Sequence, residues 1–269
     1  MRSSSLSLTL ALTYACGPQS QRPDTQPDAA APHVEPDAAA IAPMDAPLGE
    51  VTCGPATAPA TCEKLEFGFS TQQACTIGLL PGQAVDGEGF ITVNNTNHRV
   101  LTLNRLGWGH VIGWCDATTT RELIGNASLI QYLGQSNAPR VASFGHSVLC
   151  EPGANPSSIY ASQATYLGTQ LPPQYVGNPA VLAQDWDVII YCGMYEWSTD
   201  WSSTLQPYVE CLGKGVLAVM DYRQSGANSA DFNNINSFVA PAGFAFEPAS
   251  IDWASGSGAF NQCVPGVFL

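Results

Sequence analysis

From Gly107 onward, short unbroken apolar runs alternate with stretches in which apolar residues recur at helical spacing. Asp187-Val-Ile-Ile-Tyr191 and Val216-Leu-Ala-Val-Met220 are rich in β-branched residues and read as central strands covered on both faces. Between them Leu205, Tyr208, Val209 and Leu212 share one helical face, and Gly213-Lys214-Gly215 ends that helix. This predicts a βαβ unit with a right-handed crossover. Around it the spacing predicts strands at Trp108–Trp114 and Arg140–Phe144, the second ending at Gly145-His146. It also predicts a helix from Arg121 to Leu133 with Leu123, Ala127, Ile130 and Leu133 as its apolar stripe. Helices over Ser157–Leu171 and near Ser229–Val239, a short edge strand at Asn178–Leu182 and a last strand at Gly243–Phe246 complete the pattern. Alternation of this kind predicts an α/β domain over residues 105–269, built on a doubly wound, mostly parallel sheet.

The chain before it is of two other kinds. Residues 51–104 read as a small disulfide-rich β region, in which Gly89–Val93 and Arg99–Leu103 form a hairpin across the turn-forming cluster Asn94-Asn-Thr-Asn97. Residues 17–50 are dominated by Pro, Asp and Ala, and Pro-Asp-Ala-Ala occurs twice. With almost no large apolar side chain this segment cannot repay the entropy of ordering, so it is expected to be a disordered tether. Fully extended as polyproline II it would reach on the order of 100 Å at about 3.1 Å per residue.

Residues 1–16 carry Arg2, an apolar and Ser/Thr-rich run from Leu6 to Ala15, and then Ala15-Cys16-Gly17. This resembles a bacterial lipoprotein signal peptide. The resemblance implies cleavage before Cys16, acylation of that cysteine, and a lipid-anchored protein of the cell envelope, at the outer membrane or surface. An ordinary secretory signal, giving a secreted or periplasmic protein, is the alternative.

Composition narrows the partners. The chain has 269 residues, of which 45% are hydrophobic and only 12% charged, with a formal net charge of -13. Nine Lys and Arg residues are too few for nucleic acid, which is bound through cations. Removing Cys16 from the nine cysteines leaves eight, an even set that reads as a disulfide framework in an exported chain. Cys192 lies at the carboxyl end of its strand, whereas about 15 Å of helix separates it from Cys211, so Cys150 is the better partner for Cys192. No CxxC pair and no phosphate loop occurs, so neither a metal nor another cofactor is expected.

Trp186-Asp-Val-Ile-Ile-Tyr-Cys-Gly193, the segment Leu205–Tyr222, and Asn126–Leu133 followed by Arg140–Gly145 resemble the class I glutamine amidotransferase-like fold, a flavodoxin-like arrangement. An active member would need a cysteine nucleophile at a strand-to-helix turn and a downstream histidine base. The resemblance puts Met220 at the nucleophile position with Asp221 beside it, and no histidine follows His146. It therefore implies a non-catalytic relative. Ligands of such sheets bind outside the carboxyl ends of the strands. Those ends hold His146, Tyr195, Glu196, Trp197, Asp221 and Arg223, rings and polar groups suited to a carbohydrate, a small polar ligand or an envelope protein. Two other readings stay open: a hydrolase acting on a glycan or amide through Glu196 and Asp221, and a purely structural envelope protein. For the anchor, Cys16→Ser is expected to move the protein from the membrane to the soluble fraction on centrifugation; retention in the membrane would count against lipidation.

Overall fold

The computed structural model describes residues 61–71, 74–116, 119–120, 123, 125, 127–146, 164–193, 199–221, 229–251 and 254–264. Cys16, Cys150, Tyr195, Glu196, Trp197 and Arg223 lie outside this set, as do the signal and tether segments.

Strands β1 (Thr61–Thr71), β2 (Ala74–Leu79), β3 (Gly87–Val93), β4 (Thr96–Leu106) and β5 (Gly109–Trp114) come first. Then follow α1 (Ala127–Gly134), β6 (Val141–Gly145), β7 (Thr165–Tyr166), α2 (Pro179–Asp185), β8 (Val188–Cys192), α3 (Ser202–Glu210), β9 (Gly215–Val219) and α4 (Ser229–Val239). The last two strands are β10 (Phe244–Ile251) and β11 (Ala254–Val264). Nine strands form one sheet in the order β1-β11-β3-β4-β5-β9-β8-β6-β7, and β10 and β2 form a second, two-stranded sheet.

The main sheet is mixed rather than mostly parallel. β5, β9, β8, β6 and β7 pair parallel, whereas β4 joins β5 antiparallel and the antiparallel pairing continues through β3 and β11 to β1. The cause is the tight turn at Gly107-Trp108, which folds β4 straight back along β5. Strands before Asn104 thereby belong to the same sheet as the βαβ unit. Within the parallel half β7-β6-β8-β9 runs 2-1-3-4 in chain order, and β5, which precedes them all in the chain, follows β9.

The central unit forms where the pattern placed it. β8 and β9 are buried at every position, and α3 buries Thr204, Leu205, Tyr208 and Val209. The hairpin is tighter than the four-residue cluster suggested. Only Asn94 and Asn95 turn, with φ 51° and 62°, a left-handed pair that asparagine tolerates and that matches strand twist. Helix α1 follows a turn at Gly125, with Leu123 helical and buried ahead of that turn, and Ala127 is exposed while Leu129, Ile130, Tyr132 and Leu133 are buried.

Two expectations fail, the strand expected at Gly243–Phe246 forms but is not the last, and one strand was not expected at all. Asn178–Leu182 is no strand: Pro179 supplies the fixed φ of a first helical turn and starts α2. The described end of the helix expected over Ser157–Leu171 contains β7 instead. There the Leu167 N–H donates to Ser143 O at 2.8 Å and the Tyr166 hydroxyl to Gly145 O at 3.0 Å, so the open edge of β6 captures the segment. Phe244–Phe246 lies not in the main sheet but in β10, paired with β2 and packed over β5. β11 escaped notice because its Gly- and Ser-rich start carries little strand propensity; pairing on both sides with β1 and β3 makes it a strand.

Packing explains those glycines. Gly89, Gly256 and Gly258 fall on one face, and a Cβ on any of them would lie within 3.0 Å of the Phe69 or Phe67 ring. The rings cover bare backbone there, and Phe69 continues edge-on to the buried Trp114 at 5.2 Å between centroids. A disulfide between Cys75 and Cys115, with Cα atoms 5.0 Å apart, ties β2 to the carboxyl end of β5.

At the opposite, amino end, Asp187 joins three parallel strands. Its carboxylate accepts from Arg140 Nε at 3.0 Å, from the Arg140 backbone N–H at 2.9 Å and from Lys214 Nζ at 2.6 Å. Burial alone would raise its pKa, but the hydrogen bonds from Arg140 and Lys214 outweigh it and hold the carboxyl well below the usual range. A group depressed in the folded state stabilises above its unfolded pKa of about 3.9 and loses that contribution as pH falls. Asp187→Ala is therefore expected to cost about 1–3 kcal/mol at pH 7, nearer the lower figure because the Arg140 side chain is half exposed. In urea unfolding followed by circular dichroism, the gap between wild type and variant should close as the pH drops below about 4.

Candidate functional site

The chain leaves β6 outward to β7 and returns to β8 on the other side of β6, so the topological switch point lies between β6 and β8. Gly145-His146, Cys192-Gly193 and Met220-Asp221 stand at the carboxyl ends there. Gly145 has φ +112°, and a Cβ on it would strike the Cys192 carbonyl, so only glycine lets β6 end against β8.

Backbone groups at this lip are already engaged. The N–H groups of Gly145, His146, Gly193 and Met220 donate to the carbonyls of Gly168, Cys192, Val219 and Trp114, at 2.8 to 3.3 Å. None of these four amides is left to stabilise an oxyanion. Met220 is completely buried and Asp221 is only 3% exposed. Burial lowers the pKa of His146, which keeps its imidazole neutral near pH 7. Asp116, at the end of β5, is also buried; its Oδ1 accepts the Thr119 N–H at 3.3 Å and its carbonyl the Thr120 hydroxyl at 3.2 Å, a helix-capping arrangement.

Of the residues singled out in the sequence, the structure places His146, Cys192 and Asp221 at the adjacent carboxyl ends of β6, β8 and β9. It describes nothing of Tyr195, Glu196, Trp197 or Arg223. Among the described residues no group of three or more His, Cys, Asp or Glu side chains could hold a metal ion, and no helix is long and apolar enough to cross a membrane.

A second polar cluster had drawn no attention in the sequence. Asp86, before β3, pairs with Arg105 of β4 at 3.5 Å and accepts from the Tyr132 hydroxyl at 3.5 Å. The His110 ring packs against the Tyr132 ring with centroids 4.0 Å apart. Burial first, and the charge of Arg105 second, push the His110 pKa down to about 3, so it is a neutral core residue. Burial and the nearby Asp86 carboxylate raise the pKa of Tyr132. The four residues come from two strands, the lead-in to a third and a helix, with no spacing to announce them. The one signal available was His110-Val-Ile, a histidine inside an apolar strand.

No protein-family model, curated protein or solved structure matches the chain.

Cys192 and Cys211 are both disulfide-bonded. They lie at opposite ends of the unit: Cys192 ends β8, while Cys211 follows α3 just before Gly215, whose N–H bonds the Asp187 carbonyl at the start of β8. A five-residue strand at about 3.3 Å per residue separates the two levels, beyond the roughly 7 Å that a bridge can span. Non-reducing peptide mapping should show Cys75 joined to Cys115, and Cys192 and Cys211 in two different bridges; a Cys192–Cys211 peptide would contradict this geometry.

Proposed function

We propose that this chain is an exported protein, anchored to the cell envelope through a lipid on Cys16 and displayed on the Pro/Asp/Ala-rich tether. Its α/β domain, a relative of the amidotransferase-like fold, binds a carbohydrate or other small polar ligand at the carboxyl ends of β6, β8 and β9 and does not transform it. The observation that carries this reading is the state of the lip. Its backbone amides are engaged in strand pairing, Met220 and Asp221 are buried, and Cys192 is held in a disulfide. A hydrolase working through Asp221 would need that carboxylate to meet water and substrate. At 3% exposure Asp221 instead fits a supporting role beneath the crevice.

Rings at the rim supply the binding surface in this reading. Tyr195 and Trp197 offer flat apolar faces, while Glu196 and Arg223 offer hydrogen-bonding groups. The test is retention of the purified protein on cell-wall glycan. Trp197→Ala and Tyr195→Ala should each weaken it by about tenfold, roughly 1.4 kcal/mol. Glu196→Gln should leave no turnover to lose. Retention unchanged by both ring substitutions would favour a structural role, and release of cleaved glycan abolished by Glu196→Gln would favour the hydrolase.

A further inference from the structure

A groove of about 640 Å3 opens on the antiparallel half of the sheet, lined by Glu66, Glu88, Phe90 and Ser257 and closed by Leu79 of β2 and by Asp86. Pairing explains the gathering. Ser257 of β11 lies opposite Phe90 of β3, while Ala259 of β11 lies opposite both Glu88 of β3 and Glu66 of β1, so alternation brings all of them to one face. The β2–β10 sheet covers that face farther along, over β5. The groove is where the cover stops. β4 and β5 stand between β3 and β9, so the groove is separate from the strand-end crevice.

Two of its carboxylates are already held in place. Arg99 brings Nε to 2.9 Å and Nη2 to 2.8 Å from the same oxygen, Glu88 Oε1, and its guanidinium carbon lies 5.2 Å from the centre of the Phe90 ring. Asp86 is held through Oδ2 alone, by Arg105 and the Tyr132 hydroxyl. Among the described residues neither Glu88 Oε2 nor Asp86 Oδ1 accepts a hydrogen bond. Each carboxylate is thus oriented through one oxygen and keeps the other as an acceptor.

This arrangement discriminates between ligand types. A cation would find the charge of Glu88 and Asp86 already answered by an arginine each and Glu66 not without a partner of its own, and an anion would meet three carboxylates. A neutral ligand bearing hydroxyl groups meets oriented acceptors, the Ser257 hydroxyl and an aromatic ring together. That combination complements a sugar, which carries hydroxyls around its rim and C–H groups on its face. We propose that the groove is a saccharide-binding site in which Phe90 takes the apolar face of a sugar ring and Glu88 and Asp86 accept its hydroxyls. Orientation by Arg99 and Arg105 lowers the entropy lost on binding, because the acceptors need not be ordered by the ligand. Burial, opposed by Arg105 and Tyr132, leaves the Asp86 pKa raised, in keeping with a site drier than open surface.

Saturation-transfer NMR on the intact protein tests this, with glucose, galactose, mannose and N-acetylglucosamine trisaccharides as probes. Transfer to at least one of them is expected. Ala259→Trp, which fills the groove while leaving Glu88, Asp86 and their arginines in the chain, should weaken that binding at least tenfold; Glu88→Gln, which keeps the side chain's shape, should weaken it several-fold. Thermal melts of each variant separate loss of the site from loss of the fold. The groove variants are compared in a Trp197→Ala background, so that saccharide held at the strand-end site does not count towards the groove, and transfer is expected to persist in that background. Absence of transfer to all four probes overturns the proposal, as does binding lost in Trp197→Ala but retained in a folded Ala259→Trp.

Discussion

Strand β5 has to satisfy two ladders of opposite sense, and the rest of the molecule depends on its doing so. On one side it bonds antiparallel to β4, on the other parallel to β9. All six of its residues are buried. Helix α1 lies against it on one face, and on the other the Phe244 ring packs so closely over Gly113 that no side chain fits there. Its carboxyl end is fastened to β2 by the Cys75–Cys115 bridge. A strand hemmed in on four sides cannot slip register without exposing Val111, Ile112 and Trp114 together. It therefore sets the height of the parallel strands relative to the antiparallel ones, and with it the level of their carboxyl ends.

Polar chemistry is sorted to the ends and flanks of this frame. At the amino end Asp187 gathers Arg140 and Lys214, so the starts of β6, β8 and β9 are held by charge-assisted hydrogen bonds. At the carboxyl end the same strands finish in glycine, backbone pairing and buried acids, with no reactive amide left over at the four lip positions. On the antiparallel flank, arginines orient carboxylates beside a phenylalanine ring, again fixing acceptors rather than activating them.

Much of the parallel half was legible in the chain because its signals are local. Val188–Tyr191 and Val216–Val219 are β-branched runs of strand length, α3 has its apolar stripe, and glycines punctuate the joints. Asn94-Asn95 likewise announces a turn through chemistry contained in two residues. Signals failed where the outcome hung on a distant partner. Thr165-Tyr166 is a strand because β6 offers an open edge, and Ala254–Val264 is a strand because β1 and β3 flank it. The amino-acid pattern of β11, full of glycine and serine, makes sense only once Phe67 and Phe69 are seen lying over it.

The chain by itself determined the alternation of strands and helices, the central βαβ unit, and the strand ends at which His146 and Asp221 fall, since periodicity and glycine placement are properties of neighbours in sequence. The expectation of an export signal and a tether rests on local signals of the same kind. Only the tertiary structure decided that the sheet is mixed, that Asp221 is buried, and that Asp86, Arg105, Tyr132 and His110 meet. Those facts turn on residues tens of positions apart being brought within a few ångströms, and long-range pairing leaves no mark on local spacing.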